Sequence, residues 1–294
     1  MTKVAFLGLG EMGGPMASHV IAAGHDVALF DPVRAAVDAR LGGTARAAAT
    51  PADAAVGADV VCVVVRDDAQ SLESISGAHG VLESAAPGTI VLLHATVAPG
   101  TVRSLADACD ARGVRFVDAG ISGGATGANE GTLYVMCGGD PDAIDAARPV
   151  IDAYARHVVR FGESGAGMAA KLARNLMHYQ VWVAAFESMA LAEAAGLDLR
   201  AFEHLCRESG VPKLIELQLA RATTVPIDPD ADPDQAAWAH KTITLGWKDL
   251  DDAIALAREV DRPDVIDAAV GARERYGPSM GLDVAPERKA DHAV

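Results

Sequence analysis

The sequence predicts an α/β fold in which a doubly wound, mostly parallel sheet precedes an all-helical domain. Short apolar strands alternate with helical stretches up to about residue 162, and the strand signals stop after Gly165. One of these strands, Val60 to Val65, is continuously apolar, as is typical of parallel strands that helices cover on both faces. We therefore expect an N-terminal domain at 1–162 and a C-terminal domain at 163–294.

The elements are predicted from runs of β-branched residues and from residues that begin or end helices. Strands rich in valine, isoleucine and leucine are predicted at 3–8, 26–31, 59–65, 89–93, 115–119, 133–138 and 157–162. Thr50 as N-cap, Pro51 at the first helical position and Asp53 in the first turn mark one helix start. A long interdomain helix is predicted at 166–195, with Gly196 ending it. Further helices are predicted at 198–209, 212–222, 236–260 and 264–276.

Composition excludes several classes of function. The chain has 294 residues and a formal net charge of -15, from 40 Asp and Glu against 25 Lys and Arg, and no basic run interrupts it. We therefore expect no nucleic-acid or anionic-membrane partner. No apolar stretch reaches membrane-span length and no signal-peptide pattern opens the chain, so a soluble cytoplasmic protein is expected. The cysteines lack disulfide or metal spacing and are interpreted as small core residues: Cys62, Cys109, Cys137 and Cys206.

A glycine-rich loop directly follows the first strand and directly precedes a helix. Gly8 permits the tight turn, Gly10 lets a pyrophosphate approach the backbone, and Gly13 lets helix and strand pack closely. The helix N-terminus adds free N–H groups and a positive dipole end. We expect the whole loop to bind the phosphates of a dinucleotide: Gly8, Leu9, Gly10, Glu11, Met12 and Gly13.

An acid at the end of the second strand supports this interpretation. Asp31 is placed to accept hydrogen bonds from the ribose hydroxyls of NAD and to repel the 2′-phosphate of NADP. The alternative is an ordinary turn with a solvated aspartate. Because strand, loop, helix and acid occur together, the sequence favours a Rossmann domain that binds NAD, and Arg34 leaves NADP as the less favoured cofactor.

Together with the glycine loop, three further segments resemble the β-hydroxyacid dehydrogenase family, typified by 3-hydroxyisobutyrate dehydrogenase. AGISGGATGANEGTLYVMCGG (119–139) is similar to its substrate loop, GAGMAAKLARN (165–175) to its catalytic helix, and WKDLDDA (247–253) to its C-terminal KDL motif. The resemblance spans nearly the whole chain. It implies an NAD-dependent oxidoreductase that transfers hydride between NAD(H) and a small 3-hydroxy acid or its semialdehyde, built as a homodimer or homotetramer.

The resemblance also implies a substrate site. Ser122, Gly123 and Gly124 would hold the substrate carboxylate, since a glycine-dense turn can present several N–H groups to one anion. A flexible surface loop is the alternative, but the segment follows a strand at the ligand-binding edge of such a sheet. Thr96, after the fourth predicted strand, would bond the nicotinamide ribose. Val64 and Val65 would lie along the cofactor through their backbone.

The family pattern makes Lys171 the general acid/base and Asn175 the residue that orients the substrate. They are four residues apart and share a helical face. A helical lysine is usually a solvated cation, but the stretch around Lys171 is strongly apolar. Desolvation or a nearby cation would lower its pKa toward neutrality. Lys248, which we also expect to contact the cofactor, is a candidate for that cation.

Some positions depart from the family pattern. Leu93 and His94 stand where the family usually has an aspartate, and His19 replaces an asparagine. Arg66 stands where proline is common, and Arg174 replaces a second asparagine. The two arginines would add cationic contacts near the site and favour a second anionic group on the substrate.

Other functions remain open. Reductases of tartronate semialdehyde or succinic semialdehyde are similar enough to fit the same residues. Imine reductases share the overall fold but typically replace the lysine, so Lys171 argues against that activity. A non-catalytic NAD-binding sensor or scaffold would be favoured by loss of Lys171 or of the Ser122–Gly124 loop, and both are present.

Overall fold

The computed structural model describes residues 1–211, 227–259, 261–279 and 281–282. The chain divides into two compact units, Met1–Met177 and His178–Val294. The predicted helix at 212–222 lies outside the described residues.

The first unit is built on one eight-stranded sheet. Its strands are β1 (Lys3–Leu7), β2 (Asp26–Phe30), β3 (Ala45–Ala47), β4 (Val60–Val63), β5 (Ile90–Leu93), β6 (Arg115–Ser122), β7 (Leu133–Gly139) and β8 (Ala155–Gly162). Their order is β3-β2-β1-β4-β5-β6-β7-β8. Neighbouring strands run parallel except for the antiparallel pair β6 and β7. The expected mostly parallel, doubly wound sheet is confirmed.

The sequence does not predict β3, because its three residues, Ala45 to Ala47, include no β-branched side chain. It forms the edge of the sheet through its pairing with β2. The sequence also places the end of β6 too early, at 119 rather than at Ser122. The glycines that follow 119 look like a loop in the sequence, but antiparallel pairing with β7 extends the strand through them.

Helices cover the sheet of the first unit. They are α1 (Gly13–Ala22), α2 (Arg34–Asp38), α3 (Pro51–Ala55), α4 (Asp68–Ser76), α5 (Pro99–Asp110), α6 (Gly124–Glu130) and α7 (Pro141–Ile151). The predicted start of α3 is confirmed, since the Thr50 hydroxyl accepts a hydrogen bond from the Asp53 N–H (3.0 Å). Gly24, with φ +84°, follows the C-cap of α1 in the left-handed conformation that ends many helices.

Successive strand residues supply two separate cores. Val4 and Phe6 of β1 belong to the core that contains Met16 and Val20 of α1. Leu7 of β1 belongs to the other core. This alternation follows from the two-residue period of a strand, and it explains why the strands are apolar at every position.

The remaining helices are α8 (Ala166–Ala194), α9 (Leu199–Glu208), α10 (Pro233–Glu259) and α11 (Pro263–Ser279). Asp198 caps α9 by accepting hydrogen bonds from the N–H groups of Arg200 and Ala201 (2.8 and 3.3 Å). The Trp247 indole of α10 donates to the Arg273 carbonyl of α11 (2.9 Å). Among the described residues, no helix combines the length and apolar character that crossing a membrane requires.

Three of the four cysteines are buried and all four are free. Burial raises the pKa of the Cys62, Cys109 and Cys137 thiols to about 12. Their thiols therefore stay protonated near neutral pH and pack as small apolar groups, as the sequence predicts. Cys206 is half-buried.

A buried histidine joins β5 and β6 near the carboxyl end of the sheet. His94 is 2% exposed, and burial lowers its pKa to about 4. The neutral ring must donate through Nδ1, because Nδ1 lies 2.7 Å from the Ala119 carbonyl oxygen. Its Nε2 then accepts from the Tyr154 hydroxyl (3.1 Å). A neutral histidine thus replaces the acid that the family pattern has in this segment.

This network predicts a loss of stability in acid. The pKa of His94 is lower in the folded state than in the unfolded state, so its contribution is complete above about pH 6.5 and is lost as the pH falls through about 4. The free energy of unfolding should fall by about 3 kcal/mol more in the parent protein than in His94→Gln between pH 6.5 and pH 4. Urea unfolding across this range measures the difference, and parallel profiles would contradict the assignment.

Candidate active site

The candidate site lies where the strand order reverses between β1 and β4. In open parallel sheets, ligands bind outside the carboxyl ends of the strands at such a point. The loop after β1 begins at Gly8, Val64 follows β4, and Thr96 lies beyond β5. The topology therefore brings the cofactor residues predicted from the first half of the chain to one edge of the sheet.

The loop after β1 has the close packing that its glycines predict. Gly8 has φ +87°, and a Cβ there would lie 2.3 Å from the Val64 carbonyl oxygen. A Cβ on Gly13 would lie 2.0 Å from the Gly8 carbonyl oxygen. Around Gly10, in contrast, a Cβ would meet nothing within 4 Å. Two glycines thus close the loop onto the protein, and Gly10 leaves open space for a ligand.

Asp31 stabilises the same loop. Its Oδ2 accepts a hydrogen bond from the Leu9 N–H (2.7 Å), and its Oδ1 accepts one from the Val33 N–H (2.8 Å). Each carboxylate oxygen can accept a second bond, so both can also receive ribose hydroxyls. The sequence predicts the role toward ribose but not the hydrogen bond to Leu9.

The start of α1 fits a dinucleotide phosphate. The side chain of its N-cap residue, Met12, makes no capping hydrogen bond, and no acid lies in the first turn. Glu11 is exposed, whereas the Leu9 side chain is buried in the core. The loop therefore presents its backbone, rather than the Leu9 side chain, to a ligand. The positive end of the helix dipole favours an anion at this position.

The loop after β5 is fixed by an acid on a neighbouring helix. Asp68 Oδ1 accepts hydrogen bonds from the Ala98 N–H (2.9 Å) and the Thr101 hydroxyl (2.5 Å), and the bond from Thr101 is the main cause that lowers the pKa of Asp68. Thr96 is exposed in this loop, and its hydroxyl has no partner in the part of the chain that the structure describes. The hydroxyl is free to bind a ligand.

A buried carboxylate holds the start of α8 against the sheet. Asp118 of β6 is fully buried, and its two oxygens accept hydrogen bonds from the N–H groups of Gly165 (2.7 Å) and Met168 (2.6 Å). Burial raises the pKa of Asp118, while these backbone hydrogen bonds oppose the shift. Because both oxygens accept, the bonding pattern is that of a carboxylate capping a helix.

Three glycines let α8 approach the sheet at backbone distance. A Cβ on Gly138 would lie 2.6 Å from the Gly167 nitrogen, and one on Gly167 would lie 2.4 Å from the Met136 carbonyl oxygen. A Cβ on Gly120 would lie 2.9 Å from the Cβ of Lys171. The Cβ and Cγ of Lys171 therefore pack against Gly120 of β6, two residues before Ser122.

Lys171 differs from an ordinary surface lysine because its side chain is buried. It is only 9% exposed, and burial lowers its pKa, with the nearby Arg174 guanidinium lowering it further. Within the described part of the chain, its Nζ makes no hydrogen bond or ion pair. A buried lysine without a partner can exchange a proton with a ligand at a pH below that of an ordinary lysine.

Asn175 lies one turn after Lys171 and is half-buried. Its Oδ1 accepts a hydrogen bond from the Arg174 guanidinium (3.2 Å), which leaves the amide NH₂ free to donate. Among the described cations, Arg174 is the one that lowers the pKa of Lys171. The other candidate, Lys248, lies on α10, and its side chain is outside the described residues.

The predicted substrate loop joins β6 to α6. Gly123 (φ +134°) and Gly124 (φ +61°) are exposed and adopt conformations that favour glycine, and Ser122 beside them is half-buried. His19 of α1 bonds through Nε2 to the Asn129 carbonyl oxygen near the end of α6 (3.0 Å). This bond connects the helix of the phosphate loop to the helix of the substrate loop.

Sequence reasoning did not predict that Asp118 caps α8, that Gly120 contacts Lys171 or that His19 bonds to the Asn129 carbonyl. The DAGISGG segment that contains Asp118 and Gly120 looks like a strand end followed by a loop. Only the density of glycine at 120, 138 and 167 signals a close approach of two backbones.

Comparison with known proteins shows which family the chain resembles. Residues 3–162 match the family model for the NAD binding domain of 6-phosphogluconate dehydrogenase. The chain is 39% identical to an NAD-dependent L-serine dehydrogenase of Pseudomonas aeruginosa, over 71% of this chain and 70% of that protein. It is 38% identical to an uncharacterized oxidoreductase of Mycobacterium tuberculosis, over 95% of this chain and 94% of that protein. The structure of Mycobacterium tuberculosis 3-hydroxyisobutyrate dehydrogenase with L-serine matches at a TM-score of 0.65 and 27% identity, covering 96% of this chain and 91% of that chain.

The two kinds of glycine in the phosphate loop should behave differently when substituted. In Gly13→Ala the new methyl meets the Gly8 carbonyl oxygen, so both the melting temperature and NADH affinity should fall. In Gly10→Ala the methyl meets no protein atom, so only NADH affinity should fall. Thermal unfolding and calorimetric titration measure both quantities. Full NADH affinity in Gly10→Ala would show that the pyrophosphate does not approach this residue.

Proposed function

The chain belongs to the β-hydroxyacid dehydrogenase family of NAD-dependent oxidoreductases, and we propose that it interconverts a small 3-hydroxy acid and its semialdehyde with Lys171 as general acid/base. The observation that carries this proposal is Lys171, which is buried against Gly120 of the strand that leads to Ser122 and whose Nζ has no partner among the described residues.

NAD would be held by the open backbone at Gly10, the start of α1 and the Asp31 carboxylate. When bound, NAD⁺ accepts a hydride from the carbinol carbon of the substrate. Thr96 and the backbone of Val64 and Val65 would contact the nicotinamide half, since they follow the two strands beyond the point where the order reverses.

Lys171 would move the proton that accompanies hydride transfer. In the oxidation direction its neutral amine accepts the proton of the substrate hydroxyl, and in the reduction direction its ammonium donates a proton to the carbonyl oxygen. Burial and Arg174 both lower the pKa of Lys171 and so increase the neutral fraction near physiological pH. Asn175, with its NH₂ free to donate, would orient the substrate oxygen.

The substrate carboxylate would bind Ser122, Gly123 and Gly124. The Ser122 hydroxyl has no partner among the described residues, and the glycines at 123 and 124 leave their backbone accessible. These donors lie on the same strand and turn as Gly120, against which the Cβ and Cγ of Lys171 pack. Such spacing suits a carboxylate and a reacting oxygen separated by a short carbon chain. 3-Hydroxyisobutyrate, tartronate semialdehyde and succinic semialdehyde all have this arrangement.

A homodimer or homotetramer is part of the proposal. Several large apolar side chains of α8 are exposed in the single chain: Met177, Val181 and Phe186. Met177 and Val181 are one turn apart and share a helix face, which is the kind of surface that another chain covers.

Removing the proposed proton carrier should separate chemistry from cofactor binding. In Lys171→Ala, kcat with a 3-hydroxy acid should fall roughly 10²- to 10⁴-fold, while NADH affinity stays unchanged. Lys3→Ala is the matched control, because Lys3 is the other lysine of the first unit and is exposed. Steady-state assays at 340 nm and NADH titration test the pair. An equal loss of turnover and NADH affinity would count against proton transfer by Lys171.

Cofactor choice should depend on Asp31. In Asp31→Ser/Val33→Arg, the carboxylate that repels a 2′-phosphate is lost and a cation is added at an exposed position. The ratio of kcat/KM for NADP⁺ to that for NAD⁺ should rise, whereas Val33→Arg alone should change it less. An unchanged ratio in the double variant would mean that Asp31 does not face the ribose.

A further inference from the structure

Three side chains on one segment of α8 present hydrogen-bond donors: Lys171, Arg174 and Asn175. Lys171 and Arg174 are cations three residues apart, and such residues are neighbours on a helix surface. Asn175 Oδ1 accepts from Arg174, and its NH₂ has no partner among the described residues, so the amide can donate to a ligand. The segment therefore offers a ligand the Arg174 cation, the Lys171 amine and an amide donor.

No acid neutralises this segment within the described part of the chain. Neither Lys171 nor Arg174 forms an ion pair there, although the protein has a formal net charge of -15. In the first unit, by comparison, Arg34 and Arg148 each pair with an aspartate one turn away. Arg174 instead bonds to a neutral amide beside the proposed proton carrier. Two neighbouring cations without an anion repel one another, and a bound anion would relieve the repulsion.

We propose that Arg174 is a specificity-determining residue that binds a second anionic group on the substrate. This inference rests on the proposed function, in which the first carboxylate binds Ser122, Gly123 and Gly124. The substrate class is then a 3-hydroxy acid with an additional carboxylate or comparable anion, and its semialdehyde. The guanidinium can form two parallel hydrogen bonds with a carboxylate, which an amide cannot match.

Position distinguishes Arg174 from Arg66, the other arginine that departs from the family pattern. Both arginines are exposed, but Arg66 follows β4, where its backbone N–H bonds to the Gln70 side chain (3.1 Å). Arg174 lies on the same helix face as the lysine and bonds to Asn175. Of the two arginines, only Arg174 is attached to the residues that would handle the reacting oxygen.

A pair of nearly isosteric alcohols tests this proposal. 2-(Hydroxymethyl)butanedioate carries the second carboxylate, and its 4-carboxamide has the same shape without that charge. The parent enzyme should prefer the dianion in kcat/KM by roughly 10- to 100-fold, the value of a charge-assisted hydrogen bond. Arg174→Gln should remove this preference, Arg174→Lys should retain part of it, and Arg103→Gln, an exposed arginine on α5, should leave it intact.

The outcomes separate this inference from the proposed function. Turnover of the carboxamide equal to or better than that of the dianion, or an undiminished preference in Arg174→Gln, would overturn the role of Arg174 alone. Reduced NADH affinity in Arg174→Gln with unchanged selectivity would assign Arg174 to the cofactor and also overturn it. If neither these alcohols nor 3-hydroxyisobutyrate were oxidised with NAD⁺ by the parent enzyme, the proposed function itself would fail.

Discussion

The carboxylate of Asp118 fixes the first turn of α8 to the sheet, and the position of Lys171 depends on that contact. The hydrogen bonds from Gly165 and Met168 satisfy backbone donors that a buried helix start would otherwise leave unpaired. Because Gly120 has no Cβ, it leaves space for the Cβ and Cγ of Lys171. One strand, β6, thus carries the cap of the helix, the gap for the lysine and the serine of the proposed carboxylate site.

Burial and charge act together on this lysine. Desolvation disfavours its charged form, and Arg174 disfavours it further. Desolvation requires that α8 approach the sheet closely, because a lysine on a loosely packed helix would reach water. In the described part of the chain, neither Lys171 nor Arg174 pairs with an acid, so both remain available to an anionic substrate. The proposed chemistry and the proposed specificity thus have a common physical origin.

Local signals predict much of this protein. The β1 strand, the glycine loop and the placement of Asp31 are all encoded within 31 residues, so the sequence alone predicts a dinucleotide-binding domain. Asp118 could not be predicted in the same way, because its partners lie 47 and 50 residues further along the chain. A short polar residue in an apolar strand has the same sequence pattern whether it is solvated or caps a distant helix. The importance of Gly120 likewise becomes visible only when α8 lies against it.

The most direct test of the account is a titration of the Lys171 amine itself. In protein labelled with ¹³C at lysine Cε, carbon shifts followed against pH report each of the six lysines, and Lys171→Met assigns the resonance. The account predicts that Lys171 titrates below the ordinary lysine value in the presence of NAD⁺. A Lys171 resonance that titrates at the ordinary value of about 10.4 would contradict it.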